Sequence, residues 1–283
     1  MDFFKIIVLA SLQGFAELLP VSNSAHVILA QKMMGLNPSS PEMTFLLVML
    51  HTGTMLAVLV YFWKRWRLRI TDKASLHLYA KNLIIATAVT GFIGLGLKLL
   101  IEKVILEQAF GYEKGEVESL FSLLPLIGIS LLVAGVYIIF SARKKPNFDK
   151  TPISTKTAAF LGFTQGLCLP FRGLSRSGVT ISSGLLNGMT FQQAEEFSFA
   201  LAVLLTPPVV VLELRRLLKA NLGQSEIMNL LKPGLIGMLI SFGVGLIALK
   251  LLSSWLEKGR WAWFGYYCLV LSAFTFYYST VGA

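Results

Sequence analysis

The sequence predicts an all-α integral membrane protein, an inverted-topology repeat of about six transmembrane helices and two re-entrant helix hairpins. Three observations carry that expectation: an apolar composition, apolar runs of bilayer length, and a motif that occurs twice. Of 283 residues, 55% are hydrophobic and only 14% charged. The mean hydropathy is +0.69, more apolar than a water-soluble domain could cover with polar surface. Runs at residues 45–63, 83–101, 120–140, 233–252 and 261–278, with a shorter one at 197–212, approach the ~20 residues with which a helix crosses ~30 Å of hydrocarbon. Long apolar runs without alternation argue for a helical bundle and against an outer-membrane barrel.

The elements follow in chain order. Lys5 before an apolar stretch imitates a secretory signal, but no clean small-x-small cleavage site follows, so the segment is read as retained. The stretch "ELLPVSNSAH", Glu17 to His26, then interrupts the apolar sequence after about 15 residues, too few for a full crossing, which predicts a hairpin that dips in and returns. "KRWRLR" at residues 64–69 and "ARKK" at 142–145 are read as short basic loops, and His77 is assigned to a basic polar loop. The positive-inside rule places the basic loops in the cytoplasm. Between them, residues 102–118 carry Glu102, Glu107, Glu113, Glu116 and Glu118 against two lysines and are expected to face outward. The net charge of +10 is accounted for by such helix-end clusters, with no aromatic-interleaved basic domain for nucleic acid. Cys168 and Cys268 lie far apart in apolar surroundings, without ligand or redox spacing, and read as packing residues.

The second half repeats the first. "QGFAELLPVSNSAHV" from Gln13 matches "QGLCLPFRGLSRSGVT" from Gln165, with one extra residue in the second copy. Downstream, "TFLLVMLHTGTMLAVLVYFWKR" from Thr44 resembles "SFALAVLLTPPVVVLELRR" from Ser198. Residues 1–283 are thus one membrane domain made of repeats 1–141 and 155–283. Each repeat has a hairpin and three crossings, and an odd number of crossings turns the second upside down. The hairpins then enter from opposite faces and meet near the bilayer middle. "EKGR" at residues 257–260 falls inside as the sign rule asks, whereas Arg215, Arg216 and Lys219 fall outside, against it.

Broken helices at membrane depth survive only around a protein-lined or water-lined cavity. One hairpin offers Gln13, Glu17, Ser22, Asn23, Ser24 and His26, and the other Gln165, Arg172, Ser175, Arg176, Ser177 and Thr180. Ionisable groups at this depth are costly and usually functional, which puts Glu17, His26 and Arg176 first. Ser-Arg-Ser-Gly has the form of a helix N-terminus, whose free N–H groups together with a guanidinium make a phosphate cradle. The serines also read as helix caps, Gln13 and Gln165 as interhelical hydrogen-bond glue, and Arg172 as a snorkelling arginine. His51, in "MLHTGTML", reads as a helix-packing histidine. Stabilising the charge that develops in phosphoryl transfer needs donors and cations in a water-poor site. Glu17 could serve as base toward water or hold a metal, and His26 as general acid or nucleophile.

At these residues the chain resembles the undecaprenyl-diphosphate phosphatase family, also called the bacitracin-resistance protein family. "QGFAELLPVSNSAH" resembles its Glu/Gln-x-x-x-Glu and Pro-Val-Ser-x-x-x-His motif, and "GLSRSGVT" its Pro-Gly-x-Ser-Arg-Ser-x-x-Thr motif. The resemblance implies a multi-pass protein of the bacterial inner membrane that hydrolyses undecaprenyl diphosphate, a polyisoprenyl lipid, with its active site facing the periplasm. It implies a divalent cation, Mg²⁺ or Ca²⁺, which no dense carboxylate cluster in the sequence shows. A homodimer is compatible with the sequence but is not read from it. Two positions depart from the family pattern: Asn23 replaces a second serine and has no nucleophilic oxygen, and Arg172 stands where proline is usual. A lipid-carrier flippase or secondary transporter is the alternative that an inverted repeat allows. The type-two phosphatidic acid phosphatases need a histidine after the Ser-Arg pair, and none follows Arg176.

Overall fold

The computed structural model describes residues 2–37, 40–101, 123–144, 151–171, 173–219 and 224–281. The acidic segment 102–118, Arg172 and Lys145 therefore lie outside the described residues. The described residues form ten helices and no strand. They are α1 (Phe3–Leu18), α2 (Asn23–Met33), α3 (Pro41–Thr71), α4 (Lys73–Leu100) and α5 (Leu124–Ala142), followed by α6 (Thr155–Cys168), α7 (Arg176–Leu186), α8 (Phe191–Lys219), α9 (Gln224–Glu257) and α10 (Trp261–Val281).

Four of the described helices are long and apolar enough to cross a membrane, over Glu42–Arg69, Lys73–Leu100, Leu124–Ala142 and Leu230–Glu257. Their outward side chains, among them Phe92, Leu95, Leu132, Val136 and Leu239, are exposed, as expected where hydrocarbon rather than water is the solvent. The other two expected crossings, α8 and α10, have the length, at 29 and 21 residues. In α10, Trp, Tyr, Ser and Thr dilute the apolar run, and in α8 Glu195, Glu196 and Thr206 do so.

The helix breaks fall where the sequence places them. Helix α1 has 16 residues and α6 has 14, about 24 and 21 Å of rise, both short of a bilayer. Pro20 ends α1: it lacks an N–H and pushes Leu19 into extended backbone (φ −82°, ψ 150°). Ser22 restarts the chain as N-cap of α2, accepting from the N–H of Ala25, and Ser175 caps α7 by accepting from that of Gly178. The far ends of α2 and α7 are held by lysines: Lys5 Nζ donates to the Met34 carbonyl at 3.2 Å, and Lys144 Nζ donates to the Leu186 carbonyl.

Irregular backbone between α1 and α2 would be costly in hydrocarbon, and each of three carbonyls there has a partner. Leu19 O accepts from Val21 N (2.8 Å) and Ser177 Oγ (3.4 Å), Pro20 O from Cys268 Sγ (3.4 Å), and Ser22 O from His26. The first break is thereby fastened to α7 and to α10. In the second break, Gly173 has φ +107°, and a Cβ there would lie 2.7 Å from the Ile127 carbonyl of α5, so no other residue fits without displacing backbone.

Close helix contacts are made through small residues. Gly14 brings α1 against Ser241 and Val244 of α9, and Gly166 brings α6 against Thr90 and Ile93 of α4. Gly135 and Gly265 face each other where α5 packs along α10, each lying against the carbonyl of the other. Helix α3 packs on α9 and on α8. The buried core joins the halves through Phe62, Phe197, Phe199, Leu201, Leu249 and Trp261.

Two readings of loops are corrected. Residues 64–69 form the last turns of α3, which continues to Thr71, and His77 lies within α4. The basic run stays helical because Lys and Arg are good helix formers. Two of its arginines are also paired, Arg65 with Glu195 (3.4 Å) and Arg69 with Glu196 (2.7 Å) at the start of α8.

Candidate active site

The site forms where the two breaks meet. Gln13 and Glu17 are four residues apart on α1 and therefore share a face. Across from them, Arg176 begins α7, and its Nη2 donates to Glu17 Oε1 at 2.7 Å. This pair joins residues 159 positions apart. The side chains of Glu17 and Arg176 are 15% and 25% exposed, a setting in which a lone charge would be costly and a paired one is held.

The other carboxylate oxygen is also engaged. Asn23 Nδ2 donates to Glu17 Oε2 at 2.7 Å. Gln13 Nε2 lies 3.5 Å from the same oxygen and 2.9 Å from His51 Nδ1. His51 Nδ1 in turn is 3.6 Å from Glu17 Oε2. His51, expected to be a packing residue of α3, is instead a member of this cluster. Its signal was available, since it is an ionisable group within an apolar span, the criterion that selected His26.

His26 lies one turn beyond Asn23 on α2, hence on the same face of that helix. Its Nδ1 is 2.7 Å from the Ser22 carbonyl and its Nε2 is 2.7 Å from the hydroxyl of Tyr267 on α10. A carbonyl can only accept, so Nδ1 carries the proton and Nε2 the lone pair. Tyr267 was not found from sequence, because an interfacial tyrosine carries no local signal and its partner is 241 residues away.

The remaining candidates are placed as follows. Ser22 and Ser175 are the two N-caps and are buried. Ser24 is half-buried in the first turn of α2. Ser177 bonds Leu19 O. Thr180 is fully buried, bonded to the Arg176 carbonyl (2.8 Å) and to Ser198 of α8 (2.5 Å). Gln165 is buried between α6 and α4, with Nε2 3.4 Å from Thr90 Oγ1, and its described bond does not reach Glu17, His26 or Arg176. The structure therefore brings Gln13, Glu17, Asn23, His51 and Arg176 together, with His26 one turn along α2 from Asn23 and bonded to Ser22 and Tyr267.

Two features bear on a cation. Among the described residues no three His, Cys, Asp or Glu side chains converge, so a cage made by protein alone is not present in that part of the chain. Yet the buried oxygens Gln13 Oε1 and Asn23 Oδ1 have no hydrogen-bond partner, and they flank a carboxylate. One carboxylate and carbonyl-type oxygens suit a hard divalent ion that completes its shell with water and phosphate. By helix geometry the N–H groups of Arg176 and Ser177 have no intrahelical acceptor, which adds anion-binding capacity beside the guanidinium.

Fold and site together define a multi-pass helical membrane protein with an acid, a guanidinium and imidazoles gathered at two helix breaks. The profile of the family described as bacitracin resistance protein BacA matches residues 6–274, and the chain belongs to that family. It is 52% identical over 278 residues, 96% of each chain, to undecaprenyl-diphosphatase 2 of Acinetobacter baylyi. It is 32% identical over 274 residues, 95% of each chain, to undecaprenyl-diphosphatase of Rhodopirellula baltica. The identity to undecaprenyl-diphosphatase of Halothermothrix orenii is 31% over 277 residues, 96% of each chain.

Proposed function

We propose that this protein is a membrane hydrolase that converts undecaprenyl diphosphate to undecaprenyl phosphate and inorganic phosphate, recycling the carrier lipid of cell-wall synthesis. The observation that carries the reading is the Glu17–Arg176 pair joining the two hairpins, in a chain whose curated relatives are undecaprenyl-diphosphatases. The lipid tail needs no pocket in a soluble core, because the bilayer solvates it.

In this reading Arg176 and the first N–H groups of α7 bind the phosphate oxygens and stabilise their growing charge. His26 Nε2, which carries the lone pair, attacks the terminal phosphorus; the bridging P–O bond breaks, and undecaprenyl phosphate leaves. Glu17 then takes a proton from water, whose oxygen displaces phosphate from the imidazole and frees Nε2. Gln13 and His51 orient Glu17, and Asn23 steadies it. Ser22 and Ser175 cap the hairpin helices, Ser24, Ser177 and Thr180 hold the phosphate-facing turns, and Gln165 braces α6. Glu17, with Gln13 Oε1 and Asn23 Oδ1, would hold Mg²⁺ or Ca²⁺. When bound, such an ion supplies charge neutralisation to the diphosphate.

The architecture we infer is an inverted repeat, 1–141 against 155–283, with α1–α2 and α6–α7 as re-entrant hairpins. Its support is an exchange of partners. Gly14 of the first hairpin packs on α9, and Gly166, its counterpart, packs on α4, the helix equivalent to α9 in the other half. Helices α5 and α10, the last of each half, cross glycine on glycine, as elements on a pseudo-two-fold axis do. We further infer a location in the bacterial inner membrane with this site open to the periplasm, a reading supported by the resemblance to the undecaprenyl-diphosphatases.

The test is a purified preparation in detergent, given C55 or C15 isoprenyl diphosphate labelled in the terminal phosphate. Labelled inorganic phosphate is the expected product, and a transient acid-labile label on His26 marks the attack. No phosphate release would exclude the enzyme and leave a lipid transporter of the same fold; release without protein labelling would remove His26 as nucleophile.

A further inference from the structure

The mechanism leaves one contact without a task. His26 Nε2, the nitrogen that has to be free for phosphorus, is occupied by Tyr267 at 2.7 Å. The hydroxyl can only donate here, because the Ser22 carbonyl already fixes the imidazole proton on Nδ1. Around this contact the backbone is unusually constrained. Ser22 has φ 68° and ψ 96°, the positive φ of a non-glycine residue among those described, and residues in sparsely populated backbone regions persist only where the surroundings hold them. That conformation presents the Ser22 carbonyl to the His26 ring.

Helix α10 is fixed at the same place. Cys268, fully buried, donates to the Pro20 carbonyl, so the residue next to Tyr267 is bonded to the break that precedes Ser22. Tyr267 itself is 46% exposed, and its ring lies 5.7 Å from the imidazole with the planes 6° apart. An anchored helix thus presents a half-exposed side chain to the reactive nitrogen.

We propose that Tyr267 is a positioning residue for His26. The Ser22 carbonyl fixes the Nδ1–H tautomer; the Tyr267 hydroxyl sets the ring plane and covers the Nε2 lone pair, and gives up that place to the terminal phosphate of the isoprenyl diphosphate. No proton passes to or from Tyr267; the Nε2 lone pair exchanges a hydrogen bond for the bond to phosphorus. The proposal rests on the assignment of His26 as the attacking group. A merely structural Tyr–His bond would tie α10 to α2 without setting the state of the ring.

The experiment uses the full chain in detergent micelles with ¹⁵N-labelled histidine, the His26 signals being assigned by their loss in His26→Gln. In the wild-type protein Nδ1 is expected at the protonated position and Nε2 at that of a hydrogen-bonded imine nitrogen. Tyr267→Phe, which keeps the ring, should move Nε2 to the unbonded imine position while Nδ1 stays protonated against the Ser22 carbonyl. It should also lower kcat/KM roughly tenfold, because the ring of the free enzyme is no longer set before the substrate arrives. A proton on Nε2 in the wild type, an unchanged ¹⁵N spectrum in Tyr267→Phe, or wild-type kcat/KM in that variant would each overturn the proposal. The spectra are read without turnover. Absence of phosphate release by the wild-type protein would therefore refute the proposed function while the contact was still judged.

Discussion

At the scale of single residues, the pairing of Glu17 with Arg176 decides what each can do. Arg176 Nη2 meets Glu17 Oε1 at 2.7 Å, and the planar fork of a guanidinium can hold the carboxylate with one nitrogen while offering others to phosphate. An ammonium cannot share itself in that way. Arg176→Lys is accordingly expected to lower kcat/KM by about a hundredfold or more while leaving the helical circular dichroism spectrum unchanged; near-normal phosphate release would show that one point charge suffices. Glu17, His26 and Arg176 were legible in the sequence because charge inside apolar sequence is conspicuous. His51 was equally ionisable, but a single histidine in a regular span fits ordinary packing, and only the fold shows it 2.9 Å from Gln13. Asn23 was noticed as a departure from serine, whereas its bond to Glu17 could not be read from spacing. Gln165 matched Gln13 in the alignment of the halves, yet its amide nitrogen bonds Thr90 rather than a member of the cluster.

At the scale of elements, each hairpin is a short helix, a proline-bearing break and a capped second helix. The breaks were legible because Pro20 and Pro170 remove donors and the following serines offer caps, local chemistry that needs no knowledge of the fold. Helix ends were less legible: α3 and α4 extend beyond their apolar cores, since basic residues continue a helix as readily as apolar ones. Gly173 joins local and long-range demands, with φ +107° and the Ile127 carbonyl 2.7 Å from where a Cβ would sit. Gly173→Ala should cost on the order of 1–3 kcal/mol and lower the thermal midpoint in detergent. It should also depress activity by moving Arg176, three residues on. A variant with the wild-type midpoint would mean that α5 yields at this point.

At the scale of the whole molecule, the proposed duplication starts from the matching stretches at Gln13 and Gln165, and the packing of Gly14 on α9 and of Gly166 on α4 supports it. A hairpin such as α1–α2 cannot bury its own breaks; it does so against α7 and α10, in the other half. Neither half is then complete alone. The proposed opposed orientation of the halves is tested in intact cells with single cysteines, since Cys168 and Cys268 are buried and should react little. Glu113→Cys is expected to react with an impermeant reagent from outside, and Lys64→Cys and Lys258→Cys only after the membrane is opened. Labelling of all three from one side would refute the arrangement.

The carboxylate that grips Arg176 has one more effect. It already occupies one nitrogen of the guanidinium, so an arriving anion meets less positive charge than a bare arginine would offer. A head group must therefore share Arg176 with Glu17 and take the rest of its grip from the N–H groups that open α7.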